Sequence, residues 1–207
     1  MQGDFENVSE TNNGHITCAS FNGTLNAYPF NINNNIKSSP NVTNYLSGWI
    51  RPLSTDKDSQ IIYSCFSEET PTWKKYNLYV GMQKKDLNIS YQSEIGPKYV
   101  IIEDVFDEGS WTNLTLLFSR NSMKVFVDGV VLRILSIDFE SSYLGGIGYS
   151  EMLGNCIMNL RNSQSNSSYG GQLDEFIFAS FDGENNTLTE KEIKRIYNWQ
   201  KSNSNFN

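Results

Sequence analysis

The residues of this chain that can do chemistry fall into a few small groups. Asp174 and Glu175 stand directly before an apolar run, Phe176 to Phe181. Read alone, the pair keeps the mouth of a strand soluble, because charges there discourage pairing with other chains. Glu103-Asp-Val-Phe-Asp-Glu108 is the one acidic cluster. Retaining glycoside hydrolysis needs two carboxyl groups about 5–5.5 Å apart. Strand alternation puts Glu103, Val105 and Asp107 on one face and Asp104, Phe106 and Glu108 on the other, so neither face repeats an acid at every second position. The single histidine, His15, lies in a polar lead-in, which argues against a Ser-His-Asp arrangement and rules out a histidine metal cluster. Gly145-Gly-Ile-Gly148 lacks the Lys-Ser/Thr ending and following helix of a phosphate loop and reads as a turn. With no catalytic constellation, the chain is expected not to be an enzyme.

Binding has more to work with. Sugars are held by aromatic faces presented from loops, backed by amides and carboxylates. Trp73, in a polar segment, is the foremost such residue, followed by Tyr143, Tyr149 and Tyr169 beside glycines. Each also has a structural reading, Trp73 as cover for the underside of its own loop and the tyrosines as caps of turns. Aromatic loops serve glycans and proteins alike.

The net charge of −7 and the scatter of Lys and Arg give no footprint for nucleic acid or an anionic membrane. No apolar stretch approaches the ~20 residues of a membrane helix, so direct membrane insertion is not expected. The first fourteen residues lack the basic start and apolar core of a signal peptide. Seven Asn-x-Ser/Thr triplets begin at Asn7, Asn22, Asn41, Asn88, Asn113, Asn166 and Asn185, as candidate N-glycosylation acceptors. They favour an extracellular or surface-exposed chain, part of a larger protein. Codon bias toward Asn would also produce them. Cys18, Cys65 and Cys156 lack the spacing of a zinc site and leave the disulfide pairing open.

The elements that must position these groups are nearly all strands. Leu78, Val80 and Met82 alternate, then Leu87, Ile89 and Tyr91, which predicts a hairpin with one polar side. Leu114, Leu116 and Phe118 alternate with Asn113, Thr115 and Leu117, so Asn88 and Asn113 fall on outward faces. Two β-branched runs joined by Asp128-Gly129 predict a tight hairpin. Further strands are expected over residues 16–21, 45–51, 60–66, 98–102, 156–160 and 173–180. Thr189-Glu-Lys-Glu192 is a capping box, stapled by Leu188 and Ile193, and Ile193, Ile196 and Tyr197 form the apolar stripe of the helix that follows. The chain is therefore expected to be all-β, a two-sheet antiparallel sandwich over 15–199 with one short C-terminal helix. Residues 1–14 and 200–207 read as polar extensions.

Four ordered segments carry a resemblance over roughly residues 15–198. They are Ser20-Phe-Asn-Gly-Thr24, Tyr45-Leu-Ser-Gly-Trp-Ile-Arg-Pro52, the Trp111-led strand with its Asp128-Gly129 hairpin, and the run from Gly171 to Tyr197. Together they resemble a laminin G-like domain of the concanavalin A-like lectin/glucanase jelly-roll superfamily. The resemblance implies a jelly roll and a recognition or adhesion role on a surface. It also implies structural calcium with Asp174 as ligand, joined by oxygens near Asn22, where the family usually has Asp. Calcium takes six to eight oxygens, so main-chain carbonyls must complete such a site. The superfamily also contains glucanases, whose alternating acids this chain lacks. Two expectations follow: a non-catalytic module binding a glycan or surface protein through its loops or concave sheet, or a structural or assembly domain of a larger extracellular or virion-surface protein with no free ligand.

Overall fold

The computed structural model describes residues 8–13, 16–22, 28–29, 42–56, 58–67, 76–93, 95–138, 149–153, 169–182 and 187–203. Their strands are β1 (Val8–Asn13), β2 (Ile16–Asn22), β3 (Tyr28–Pro29), β4 (Val42–Pro52), β5 (Gln60–Ser67), β6 (Tyr76–Gln83) and β7 (Asp86–Ser93). Then come β8 (Gly96–Ile102), β9 (Thr112–Phe118), β10 (Ser122–Val127), β11 (Val130–Ser136), β12 (Tyr149–Leu153) and β13 (Gly170–Asp182). One helix, α1 (Glu190–Asn203), follows. The strands form two antiparallel sheets, a first in the order β1-β2-β13-β4-β9-β10-β11 and a second in the order β3-β12-β5-β6-β7-β8.

Alternation builds the core. Leu46 and Ile50 of β4, Leu114 and Leu116 of β9 and Val125 of β10 face Leu78, Val80, Leu87 and Ile89 of the second sheet in one buried cluster. Tyr63 of β5 stacks on Phe176 and Phe178 of β13 at 6.4 and 6.5 Å between centroids, so β5 lies over β13. Both expected hairpins form. β6 pairs with β7 through Gln83↔Asp86, and β10 with β11 through Val127↔Val130, where Asp128 and Gly129 hold φ of 51° and 69°.

Three strands escaped the period-two reading because they are polar or short. β1, Val-Ser-Glu-Thr-Asn-Asn, forms within the segment expected as a polar extension and pairs with β2. β3 has two residues, and β12 pairs with β5. The strand expected over 156–160 lies outside the described residues. At the other end α1 runs to Asn203, and Gln200, expected in a tail, is buried.

Candidate ligand-binding faces

The two outer faces of the sandwich differ. On the first sheet, β4 turns Tyr45, Ser47 and Trp49 outward and β9 turns Asn113, Thr115 and Leu117 outward, and α1 lies across them. Ile193 packs with Tyr45, Leu117 and Phe126, and Tyr197 stacks on Trp49 at 5.6 Å. The capping box starts the helix as expected: Thr189 N–H donates to Glu192 Oε2 at 2.8 Å, and Glu192 N–H donates back to Thr189 Oγ1 at 3.3 Å. The bond from Thr189 N–H, and one from Thr189 Oγ1 to the same carboxylate oxygen at 2.7 Å, hold the Glu192 carboxyl below its ordinary range.

Beneath the far end of α1 runs a polar seam. Gln200 Oε1 accepts from Trp49 Nε1 at 3.3 Å and from Asn113 Nδ2 at 3.5 Å, and Ser47 Oγ and Thr115 Oγ1 share a bond of 2.7 Å. Asn113 is therefore 2% exposed. Alternation placed it correctly on the outer face, but that face is covered.

Asp174 and Glu175 also change meaning. Asp174 pairs with Trp49 and Ile177 with Ser47, so the two residues between them form a bulge opposite Gly48. Glu175 sits at φ 46°, and its N–H donates to Asp174 Oδ1 at 2.7 Å. The extra residue turns Phe176 into the core, which explains why carboxylates precede so apolar a run. Burial pushes the Asp174 carboxyl above 3.8, against the Glu175 N–H bond, and Asp174 Oδ2 has no hydrogen-bond partner among the described residues.

That oxygen is one of the six to eight calcium takes. Asn22 is opposite Gly170, four positions along β13 from Asp174 and about 13 Å away at strand rise. The expected ligand pair is thus not brought together. The described residues hold no group of three metal-ligating side chains and do not assemble a calcium shell.

Of the aromatic candidates, Tyr169 is fully buried. It lies over Gly171 in the core, with its hydroxyl donating to Gln172 O at 3.3 Å and its pKa pushed well above 10.0 by burial. It belongs to the sandwich interior and presents no ring to a ligand. Tyr149 opens β12 opposite Ser67. Trp73 and Tyr143 lie outside the described residues, as do Asn7, Asn41, Asn166, Asn185 and Cys156. Cys65 is buried in the core cluster. The acidic segment 103–108 is a turn in which Val105 and Phe106 are buried and both donate backbone N–H to Lys85 O, while Glu103, Asp104, Asp107 and Glu108 face solvent.

The outer face of the second sheet is built by β5 to β8, and no described element packs across it. Register sets Ser64, Tyr79, Ser90 and Tyr99 in one row, Asn88 beside Ile101 in the next, and Gln92 beside Pro97 on the other side. Tyr79 lies flat over Gly81, where any Cβ would collide with its phenol, and its hydroxyl meets Ser59 Oγ at 3.3 Å. The inner rows are buried, whereas Tyr99 and Ile101 at the β8 edge are 69% and 53% exposed. The side-chain oxygens Asn88 Oδ1 and Gln92 Oε1 are buried with no partner among the described residues. Sequence reading named aromatics in loops as the ligand residues and read this strand face only as polar. The polar alternation of Asn88, Ser90 and Gln92 was its signal.

A third feature is a cleft of about 710 Å³ where α1 meets the first sheet, lined by Leu117, Arg120, Lys124, Thr187 and Lys191 among others. Lys124 crosses it to Glu190 at 3.1 Å.

No curated protein matches the sequence. Among solved structures the chain is similar to a heptameric SAP-like pentraxin from Limulus polyphemus at 16% identity and TM-score 0.57, over 86% of this chain and 80% of that one. It is also similar to the binding domain of botulinum neurotoxin DC in complex with rat synaptotagmin II, at 13% identity and TM-score 0.57, over 93% of this chain and 45% of that one. A third is a botulinum neurotoxin type C structure, reported with the toxin's dependence on two ganglioside molecules, at 13% identity and TM-score 0.57 over 93% and 44%. The chain thus spans less than half of these toxin domains, and the likeness shows a shared fold. The family model described as the concanavalin A-like lectin/glucanases superfamily, a laminin G-type model, matches residues 30–193. Since that match runs from before β4 through both sheets into α1, the chain belongs to this laminin G-like family with the concanavalin A-like lectin fold.

Proposed function

We propose that the chain is a non-catalytic recognition module, binding a glycan or a surface protein on an exposed or extracellular face of a larger protein. One observation carries this reading: α1 closes the outer face of the first sheet, while the outer face of the second ends in an exposed Tyr99 and Ile101 beside recessed amide oxygens. Aromatic and amide groups of this kind suit recognition. The named partners of the toxin neighbours, a protein and gangliosides, lean the same way. The dispersed acids of residues 103–108 give hydrolysis no paired carboxylates to use.

Binding of the purified domain to a glycan array and to intact cells, each with calcium and again with chelator, tests the reading. Saturable binding to either surface is expected. A folded, monomeric domain that binds neither would overturn it.

The assembly reading has an observation of its own. Edge strand β11 exposes Val130, Leu132 and Ile134 at 59%, 47% and 60%, without the Pro and Lys that guard β8 at Pro97 and Lys98. If assembly dominates, the domain self-associates at micromolar concentration in sedimentation and Leu132→Arg disperses it. A monomer across that range sinks this second reading.

A further inference from the structure

We propose that the cleft between α1 and the first sheet receives the acidic turn 103–108 of a second copy of this chain. This goes beyond the recognition reading and uses neither the second sheet nor the β11 edge. Three elements wall the cleft, and each adds a cation to its lining: Arg120 from the turn between β9 and β10, Lys124 from β10 and Lys191 from α1. Glu190 is the one carboxylate among the described lining residues, and it is already engaged by Lys124 at 3.1 Å.

Lys191 is the least expected of the three. It stands in the first turn of α1, where the helix dipole opposes a cation, and it forms no ion pair among the described residues. A charge set against its local preference points to a compensating partner. At about 710 Å³ the cleft is in the range of sites that enclose a drug-sized ligand, so a few side chains fit it and a single small ion does not fill it.

The chain carries a matching surface of its own. Glu103, Asp104, Asp107 and Glu108 all face solvent on the turn between β8 and β9. The turn is fixed from below: Val105 and Phe106 are buried and donate N–H to Lys85 O at 3.0 and 2.9 Å, and Gly109 N–H donates to Pro52 O at 2.7 Å. Its carboxylates are thus held in place before a partner arrives, which lowers the ordering cost of docking. Lys85 answers one of the four, pairing with Asp107 at 2.8 Å.

The turn leads into β9 and the cleft lies at the other end of that strand, about 20 Å away at strand rise. The two surfaces of one copy therefore do not meet, and the contact is heterologous, the cleft of one copy to the turn of the next. The net charge of −7 repels copies at long range. At about 0.1 M salt the Debye length is about 10 Å, so that repulsion fades while pairs in contact persist. Exposed ion pairs are individually weak, and the contact gains strength where several copies share one larger protein or surface.

Sedimentation velocity of the purified domain tests this from about 10 to 500 µM, in about 0.1 M NaCl and again in about 1 M, where the Debye length falls to about 3 Å. The weight-average sedimentation coefficient should rise with concentration in the first buffer and stay flat in the second. Lys191→Glu, and separately Glu103→Gln with Glu108→Gln, should each weaken association about tenfold. Mixing the two variants in equal amounts should restore it, because one keeps the turn and the other keeps the cleft. Melting curves establish that both fold. Lys191→Glu should melt no lower than the parent, since it removes a cation from a first helical turn and converts a like-charge pair with Arg195 into an opposite one. Leu132→Arg on β11 should leave the association unchanged. A monomer at every concentration in about 0.1 M salt, association indifferent to salt, variants that associate as the parent does, or no recovery on mixing overturns the proposal. Association abolished by Leu132→Arg would put the contact on β11, which overturns the proposal and sustains the assembly reading. The recognition reading is decided apart from all of these, by binding to glycans and cells.

Discussion

Gly48 is the position at which the bulge of β13 can be tested. It faces the two residues inserted between Asp174 and Ile177, and a Cβ there would meet three ring atoms of Phe176 at or under 3.0 Å. Carbon atoms in good contact stand about 3.5–4.0 Å apart. Gly48→Ala therefore requires the Phe176 ring to move, but that ring packs on the core and stacks on Tyr63 at 6.4 Å with 19° between planes. Overpacking of this kind costs about 2–3 kcal/mol. For a domain of this size that lowers Tm by roughly 5–10 °C. Urea denaturation should show a lower midpoint with an unchanged slope. The decisive arm is a double-mutant cycle. Phe176→Leu alone should destabilise by about 1–2 kcal/mol through lost burial, and in its presence Gly48→Ala should become cheaper by about 1 kcal/mol or more. If Gly48→Ala costs under about 0.5 kcal/mol, or if its cost is the same with Leu at 176, the ring does not fill the space above Gly48 and the account of the bulge is wrong.

Two further outcomes follow from the same geometry. Gln200→Ala removes the oxygen that accepts from the Trp49 indole N–H and the Asn113 amide in a buried seam, and about 2–3 kcal/mol of stability should go with it; a change within about 0.5 kcal/mol would return residue 200 to the status of a tail. Asp174 has a folded pKa raised above its unfolded value by burial, so its contribution is favourable below that unfolded value and is lost as pH rises through the folded one. Asp174→Asn should accordingly be more stable than the parent at pH 7 and indistinguishable from it near pH 3, with calcium or chelator alike. A calcium-dependent rise in the parent's Tm that Asp174→Asn abolishes would refute this and restore the ion.

Strand content was legible wherever one face was apolar and the other polar, as in β6 and β7, or where the turn had a backbone demand of its own, as at Asp128-Gly129. The start of α1 was legible for the same local reason. What a strand meets on its outer side is a tertiary fact, and alternation does not contain it: Asn113 reads outward and is outward, beneath a helix whose own stripe does not say which sheet it will cover. Gly48 carried a usable signal, since glycine within a strand marks a bulge or a close approach. The Asp174-Glu175 pair suggested an ion because the bulge that explains it depends on a partner more than a hundred residues earlier. The β7 face was readable as polar, but its unpaired oxygens depend on neighbours that only the folded sheet supplies.

The seam under α1 also sets an order of events. Trp49 and Gln200 are joined across 151 residues of sequence, a long loop to close before any reward is collected. At about 5–20 residues per second of synthesis, Trp49 waits roughly 8–30 s for its partner to be made. During that interval the outer side of β4, with Tyr45 and Trp49, has nothing over it. β13, the partner of β4, is itself complete only at residue 182, so the sandwich closes late and the aromatic face under α1 closes last. Nascent chains arrested before residue 190 should bind a hydrophobic dye or a holdase chaperone, and chains extended past residue 203 should release it.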